Sequence, residues 1–67
     1  MAKIKLNGKN ISILEDTSLL SLLEKYKIDR KKIAIELNGK IVQKNRFQKT
    51  FLKNMDRVEL VHFIGGG

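Results

Sequence analysis

Apolar and polar residues alternate in two short segments near the start of the chain, residues 3–7 and 10–14. A period of two residues is typical of strands that bury one face, and the Asn7-Gly8 dipeptide between the segments is a strong hairpin-turn signal. The pattern therefore predicts an antiparallel hairpin. Its core-facing residues are predicted to be Ile4, Leu6, Ile11 and Ile13.

The next segment has the wider apolar spacing of a helix that lies across the hairpin. Asp16 or Thr17 is the predicted cap, because short polar side chains accept hydrogen bonds from the first free backbone N–H groups. Lys25 and Lys27 fall in the predicted last turn, where cations suit the negative end of the helix dipole, and residues 30–32 form a basic exit loop. The apolar stripe consists of Leu19, Leu20, Leu22, Leu23 and Tyr26.

Alternation returns in residues 33–37, which are followed by Asn38-Gly39 and the short apolar pair Ile41-Val42. The same turn signal between apolar segments predicts a second hairpin, made of a third and a fourth strand. The core residues of the third strand are predicted to be Ile33, Ile35 and Leu37.

One loop segment and one strand complete the pattern. Phe47, Phe51 and Leu52 are predicted to close the base of the core from a short helical turn or irregular loop, and residues 54–56 turn the chain into a last strand over residues 57–64. The order ββαββ(loop)β predicts an α+β fold, in which a mixed sheet of about five strands wraps around one helix. The first and last strands are expected to be parallel central neighbours.

The composition suits a small binding or carrier module. At 67 residues the chain forms one domain with a modest core, which disfavours an elaborate internal active site. It has no cysteine, so disulfides, thiolate ligands and a cysteine nucleophile are excluded together. No apolar run is long enough to span a bilayer and no signal-peptide core is present, which predicts a cytoplasmic protein. Neither metal-ligand spacing nor a phosphate-binding loop appears.

The formal charge of +7, from 14 basic and 7 acidic residues, invites nucleic acid or an acidic protein as a partner. The basic residues are spread along the chain, however, and only residues 25–32 form a dense cluster. That cluster has one aromatic residue, Tyr26, where single-strand binders usually offer several stacking rings. A lysine-rich solvated surface is the favoured interpretation, and a nucleic-acid partner is disfavoured.

Three consecutive glycines, Gly65, Gly66 and Gly67, follow the predicted last strand. Glycines add nothing to a core and lose the most backbone entropy when ordered, so the fold gains nothing from them here. A segment without Cβ atoms suits a narrow channel of another protein, and it reaches about 10 Å beyond Ile64 when extended. We expect a folded domain over residues 1–64 and a flexible tail over residues 65–67, against the alternatives of a disordered terminus or an expression scar.

Two segments at a fixed separation resemble a known family: residues 33–42, IAIELNGKIV, and residues 56–67, DRVELVHFIGGG. With the element order over the whole chain, they resemble the small ubiquitin-like β-grasp sulfur carriers, most closely the ThiS family of thiamine biosynthesis. Two turns depart from the family pattern. Proline often follows the fourth strand where Gln43 or Lys44 stands, and Asp-Gly-Asp often occupies the place of residues 54–56. Both turns lie away from the tail.

The resemblance implies a carrier and not an enzyme. In such carriers an E1-like enzyme uses ATP to adenylate the carboxylate of the last glycine, here Gly67, which is then converted to a thiocarboxylate. The sulfur comes from a donor such as a cysteine desulfurase and passes to thiazole synthase. Gly65 and Gly66 allow close backbone approach when the tail is threaded into a partner. The chain itself is expected to bind no cofactor and no metal.

The alternation of the last strand also predicts a docking face beside the tail. If the neighbours of Glu59 point into the core, then Glu59, Val61 and Phe63 point to the other face of the sheet, together with Glu36 of the third strand. Apolar residues grouped on a solvent face indicate a partner surface. The hypothesis is that Val61 and Phe63 seat the carrier on its activating enzyme, with Glu36 and Glu59 beside them.

His62 is the only histidine, and its place before the tail suggests a general acid or base. Alternation puts it on the core-side face near the end of the strand. A single histidine without paired carboxylates is more often structural, which is the favoured interpretation.

Other functions stay open at this point. The small subunit of molybdopterin synthase uses the same glycine terminus and activation, although its chains tend to be longer, and carriers for tRNA thiolation or cysteine synthesis share the chemistry. A protein modifier that forms isopeptide bonds would be activated in the same way. An RNA-binding β-grasp module would explain the charge but not the glycines beside an apolar strand end.

Overall fold

The computed structural model describes residues 1–62 and contains five strands and one α-helix in the predicted order. The strands are β1 (Ala2–Leu6), β2 (Lys9–Ile13), β3 (Ile33–Leu37), β4 (Lys40–Val42) and β5 (Arg57–His62). The helical elements are α1 (Leu19–Lys25) and two 3₁₀ helices, Arg30–Lys32 and Lys44–Lys49.

All five strands form one mixed sheet in the order β2-β1-β5-β3-β4. β1 and β5 are parallel neighbours, with Lys5 beside Arg57, and the other neighbouring pairs are antiparallel. The predicted pairing of the first and last strands at the centre is therefore confirmed, and so is the predicted α+β, ubiquitin-like β-grasp fold. The predicted boundary between residues 64 and 65 lies outside the described residues.

Both hairpins turn on an Asn-Gly pair in the left-handed backbone region. φ is 50° at Asn7 and 82° at Gly8, and it is 53° at Asn38 and 86° at Gly39. A tight hairpin turn whose twist matches the strands needs positive φ at both central residues, and asparagine and glycine adopt it at the least cost. These two residue pairs therefore set the register of both hairpins.

The core lies between one face of the sheet, α1 and the second 3₁₀ helix. Of the residues of β1, β2 and β3 that were predicted to face inward, Leu6, Ile11 and Leu37 are partly buried and pack against this core, and the others are fully buried. The buried apolar residues are Ala2, Ile4, Ile13, Leu19, Leu22, Leu23, Ile33, Ile35, Phe47, Leu52 and Val58.

The predicted helix cap was wrong by one or two residues. Ser18 is the cap, and its Oγ accepts a 3.1 Å hydrogen bond from the Ser21 amide. Asp16 has a φ of 64° and belongs to the preceding turn, while the Thr17 hydroxyl donates to the Leu14 carbonyl at 2.6 Å. Asp16, Thr17 and Ser18 all have side chains that can cap a helix, and the conformation of the turn before the helix determines which of them does so.

Two aromatic residues predicted to be in the core are exposed. Helix α1 ends at Lys25, so Tyr26 is only its C-cap residue and its ring lies at the surface, with the Lys25 ammonium 5.9 Å from the ring centroid. Phe51 is 54% exposed, because the chain is extended after the second 3₁₀ helix and alternates there. Leu52 consequently points inward and Phe51 outward.

Two asparagine side chains fix β5 in the sheet. Asn7 Oδ1 accepts a 2.7 Å hydrogen bond from the Leu60 amide, and the Asn7 amide donates to the Val58 carbonyl at 2.9 Å. The Asn38 amide likewise donates to the Arg57 carbonyl, and Asn38 Oδ1 accepts from the Arg57 amide, each at 2.8 Å. The two hairpin turns thus satisfy backbone groups of β5 that the strand ladders leave free.

We expect Asn7→Gly to lower the free energy of unfolding by about 1–2 kcal/mol, because glycine keeps the left-handed turn but leaves the Leu60 amide without its acceptor. Urea unfolding measures the change. Asn10→Ala is the matched control, since no hydrogen bond of the Asn10 side chain is present among the described residues. Equal stabilities of the two variants would contradict this role of Asn7.

The two phenylalanines of the connecting segment should differ sharply in their effect on stability. Phe47 is fully buried, so Phe47→Ala should cost about 3–5 kcal/mol by leaving a cavity. Phe51→Ala, which truncates a half-exposed ring, should cost less than about 1 kcal/mol. Thermal unfolding of the two variants under the same conditions measures the contrast, and similar losses would show that the assigned burial is wrong.

Candidate docking face beside the tail

β5 leads directly to the predicted reactive segment, and it lies in the middle of the sheet. β1 pairs with it on one side and β3 on the other, with five residues of β3 in register between Ile33–His62 and Leu37–Val58. A strand held on both edges is a rigid support for whatever follows it. Phe63, Gly65, Gly66 and Gly67 lie outside the described residues, so the predictions about them stay predictions.

The outer face of the sheet carries an apolar and acidic patch where β5 ends. In the ladder Val61 stands opposite Ala34 and Glu59 opposite Glu36, and Glu36 in turn stands opposite Ile41. Val61 is 49% exposed and Ile41 is 65% exposed, although both are large apolar residues. We call these five residues the docking face: Ala34, Glu36, Ile41, Glu59 and Val61.

The predicted placement of three residues is confirmed. Val58 is buried and Leu60 is partly buried, so the alternation of β5 sends Glu59 and Val61 to the outer face as expected. Glu36 lies on that same face, because it stands opposite Glu59.

The two carboxylates of the docking face lie side by side without compensation. Directly opposite residues of antiparallel strands have Cβ atoms about 4.5–5.5 Å apart, and like charges in such a pair are unfavourable. Neither Glu36 nor Glu59 forms an ion pair with any cation of residues 1–62. The free protein therefore holds two neighbouring acceptors that a basic side chain of a partner could bind together.

Ile41 was not singled out by sequence reasoning. The pair Ile41-Val42 predicts a strand, but two adjacent apolar residues do not tell which one faces the core. The register answers the question, because Val42 stands opposite the fully buried Ile35. Ile41 therefore points outward and extends the apolar part of the docking face by one strand.

His62 is not part of the docking face. It stands opposite the buried Ile33, which agrees with the predicted side of the sheet, but its own side chain is exposed. The predicted core-side face is therefore confirmed, and the side chain is exposed on that face. The His62 ring makes no hydrogen bond within residues 1–62.

Other kinds of site are not seen in residues 1–62. No group of three or more histidine, cysteine, aspartate or glutamate residues there could hold a metal ion. No helix in the same part of the chain is long and apolar enough to cross a membrane.

Comparison with known proteins agrees with this geometry. A model of the ThiS family matches residues 4–67. The chain is 37% identical over 65 residues to the sulfur carrier protein ThiS of Bacillus subtilis, and the match covers 96% of this chain and 98% of that protein. The crystal structure of the thiamine biosynthesis protein ThiS of Geobacter metallireducens is similar with a TM-score of 0.84 and 31% identity, covering 97% of this chain and 99% of that chain.

One relative is much longer than this chain. A thiazole synthase of Magnetococcus marinus is 37% identical over 65 residues, and that match covers 97% of this chain but only 20% of that protein. A segment similar to this chain is thus one part of a larger polypeptide there.

Proposed function

Because the chain belongs to the ThiS family, we propose that it is a sulfur carrier of thiamine biosynthesis, with the Gly67 carboxylate as the group that receives the sulfur. The observation that supports this most is the extent of the match, which runs from Ile4 in β1 through the three glycines. The fold adds a physical reason, since a central strand held on both edges precedes them.

The proposed chemistry takes place at the tail and needs no catalytic side chain on the carrier. A carboxylate is a poor acyl donor, so an ATP-using, E1-like enzyme first converts it to an acyl-adenylate with release of pyrophosphate. Sulfur then replaces the adenylate and leaves a thiocarboxylate, which is a good sulfur nucleophile. Gly65 and Gly66 allow the backbone to enter a narrow active site, because they have no side chains.

Three protein partners follow from this chemistry. The E1-like enzyme supplies the adenylate, a donor such as a cysteine desulfurase supplies the sulfur, and thiazole synthase consumes it. The thiazole synthase partner has separate support, because a segment similar to this chain forms a fifth of the Magnetococcus marinus thiazole synthase.

The docking face gives the carrier its contact with the activating enzyme. Val61 and Ile41 offer apolar area that is free in the described chain, and Glu36 and Glu59 flank it with charges that select a basic partner residue. Phe63, two residues after Val61, continues the alternation of β5 in the sequence and is proposed to extend the same surface.

Co-expression with an E1-like activating enzyme and a sulfur donor should change the intact mass of the protein by one oxygen-to-sulfur replacement. Mass spectrometry of the proteolysed sample should place that change in the peptide that ends at Gly67. A Gly67→Ala variant should form much less of the product, because the methyl group obstructs entry to a narrow site. An unchanged mass for the wild-type protein under these conditions would contradict sulfur carriage.

Charge placed on the apolar part of the docking face should slow adenylation. We expect Ile41→Asp and Val61→Asp each to reduce the rate of pyrophosphate release by about tenfold or more, because a carboxylate would be buried without a partner at the interface. Leu14→Asp is the matched control, since Leu14 is also an exposed apolar residue but follows β2 at the other end of the sheet. Equal rates for all three folded variants would remove the docking face from the mechanism.

A further inference from the structure

A shallow groove crosses the outer face of the sheet at the end that lies away from the tail. It has a volume of about 520 Å³ and lies between the β1–β2 hairpin and the start of β5. Ile4 and Ile11 stand opposite each other in the β1–β2 ladder beneath the groove. The floor of the groove is therefore the backbone of two paired strands. The residues around this floor, which we call the basic groove, are Lys3, Lys5, Asn10, Ser12, Met55 and Arg57.

The basic groove contains three cations and no carboxylate. Lys5 stands beside Arg57 on the neighbouring parallel strand, and Lys3 lies two residues before Lys5 on the same face. Like charges on adjacent strands repel each other, and none of these three forms an ion pair within residues 1–62. The groove is therefore complementary to a ligand with at least two negative charges.

Met55 adds an apolar contact that the fold does not require. Its side chain is 79% exposed, and its φ of 76° lies in the left-handed region that an unbranched L-residue adopts only at a cost. Methionine is a flexible, polarizable side chain that adapts to the shape of a bound partner. A residue that is both strained and exposed at the edge of a charged groove indicates a role in binding.

The wall that holds Met55 is fixed in place before any ligand arrives. The Met55 amide donates to the Lys3 carbonyl at 2.7 Å, and Asn54 Oδ1 accepts from the Lys3 amide at 2.9 Å. Asp56 braces the same turn by accepting from the Lys53 amide at 2.8 Å. Little ordering is therefore needed when a ligand binds, which favours affinity.

We propose that the basic groove binds an acidic peptide segment of a partner protein, with carboxylates on the three cations and an apolar side chain against Met55. Asn10 and Ser12 border the groove with hydrogen-bonding side chains that suit a polar peptide. RNA is disfavoured, because no aromatic ring lies among the lining residues to stack a base.

The groove is a second contact point and is separate from the docking face. Along β5, Arg57 of the groove lies two residues from Glu59 and four residues from Val61 of the docking face, distances of about 7 Å and about 13 Å at the usual rise of a strand. Both surfaces lie on the outer face of one rigid sheet. An acidic partner segment in the groove would fix the orientation of the carrier without touching the tail, so this inference does not depend on sulfur transfer.

The test is an amide-shift titration of the isotopically labelled full chain with a blocked peptide, Glu-Glu-Leu-Glu-Glu. We expect saturable shifts in β1, in β2 and in residues 53–57, with the residue 25–32 cluster unaffected. Raising the salt from about 0.02 to about 0.2 M should weaken binding severalfold. Inorganic phosphate and a single-stranded uridine oligonucleotide serve as competing probes, and tighter saturable binding of either one would overturn the peptide assignment.

Charge reversal at the lysines of the basic groove tests whether these residues supply the binding energy. Lys3→Glu/Lys5→Glu should weaken the peptide by about tenfold or more, whereas Lys32→Glu/Lys49→Glu, with the same change in net charge elsewhere, should weaken it by less than about threefold. Lys5→Gln replaces the first double variant if that variant loses its dispersed spectrum, with a loss of about threefold expected. Equal losses in the groove variant and its control would reduce the effect to net charge and overturn the proposal.

Met55→Gly separates binding from folding. Glycine accepts the positive φ, so the unfolding temperature should not fall, while the affinity for the leucine-containing peptide should drop by about threefold. A control peptide with serine in place of leucine should bind the wild-type chain and Met55→Gly equally. No difference between the two peptides would show that Met55 makes no apolar contact.

Discussion

The hydrogen bonds between β5 and the two turn residues Asn7 and Asn38 are the constraint on which the rest of the structure depends. Each asparagine lies in a hairpin turn, and each satisfies two backbone groups of the central strand. The hairpins are otherwise separate local units, so these contacts and the β5 ladders join them into one sheet. The docking face and the basic groove both include residues of β5. Their relative positions are therefore set by these four hydrogen bonds together with the β5 ladders.

The outer face of the sheet separates charge of opposite sign along β5. Arg57 contributes to a basic end with Lys3 and Lys5, and Glu59 contributes to an acidic end with Glu36. A protein with a formal charge of +7 attracts acidic surfaces at long range in any orientation. A face with separated charges selects one orientation at short range, because the reversed complex would oppose like charges. In the proposed complexes, the excess of lysine would bring an acidic partner near, and the pattern of the outer face would align it.

Most of the fold was predictable from the sequence because its signals are local. The Asn-Gly turns, the alternation in the strands and the helical spacing each act over a few residues, and the order of elements then restricts the topology. The predictions from sequence failed where the outcome depends on the exact position of one residue. The helix cap is Ser18, and Tyr26 lies just beyond the end of α1. Phe51 points outward because the chain is extended there. Ile41 and the basic groove were not found, since the first needs strand register and the second joins residues more than 40 positions apart.

The central position of β5 has a consequence for incomplete chains. β1 and β5 are neighbours in the sheet although most of the sequence separates them, so their pairing closes a long loop and is costly to form early. A chain that lacks β5 has two hairpins with unpaired inner edges and no sheet to join them, a state exposed to edge-to-edge aggregation. The docking face includes residues of β5, so it forms only when the fold is complete. A misfolded or shortened copy would lack the surface that is proposed to bind an activating enzyme.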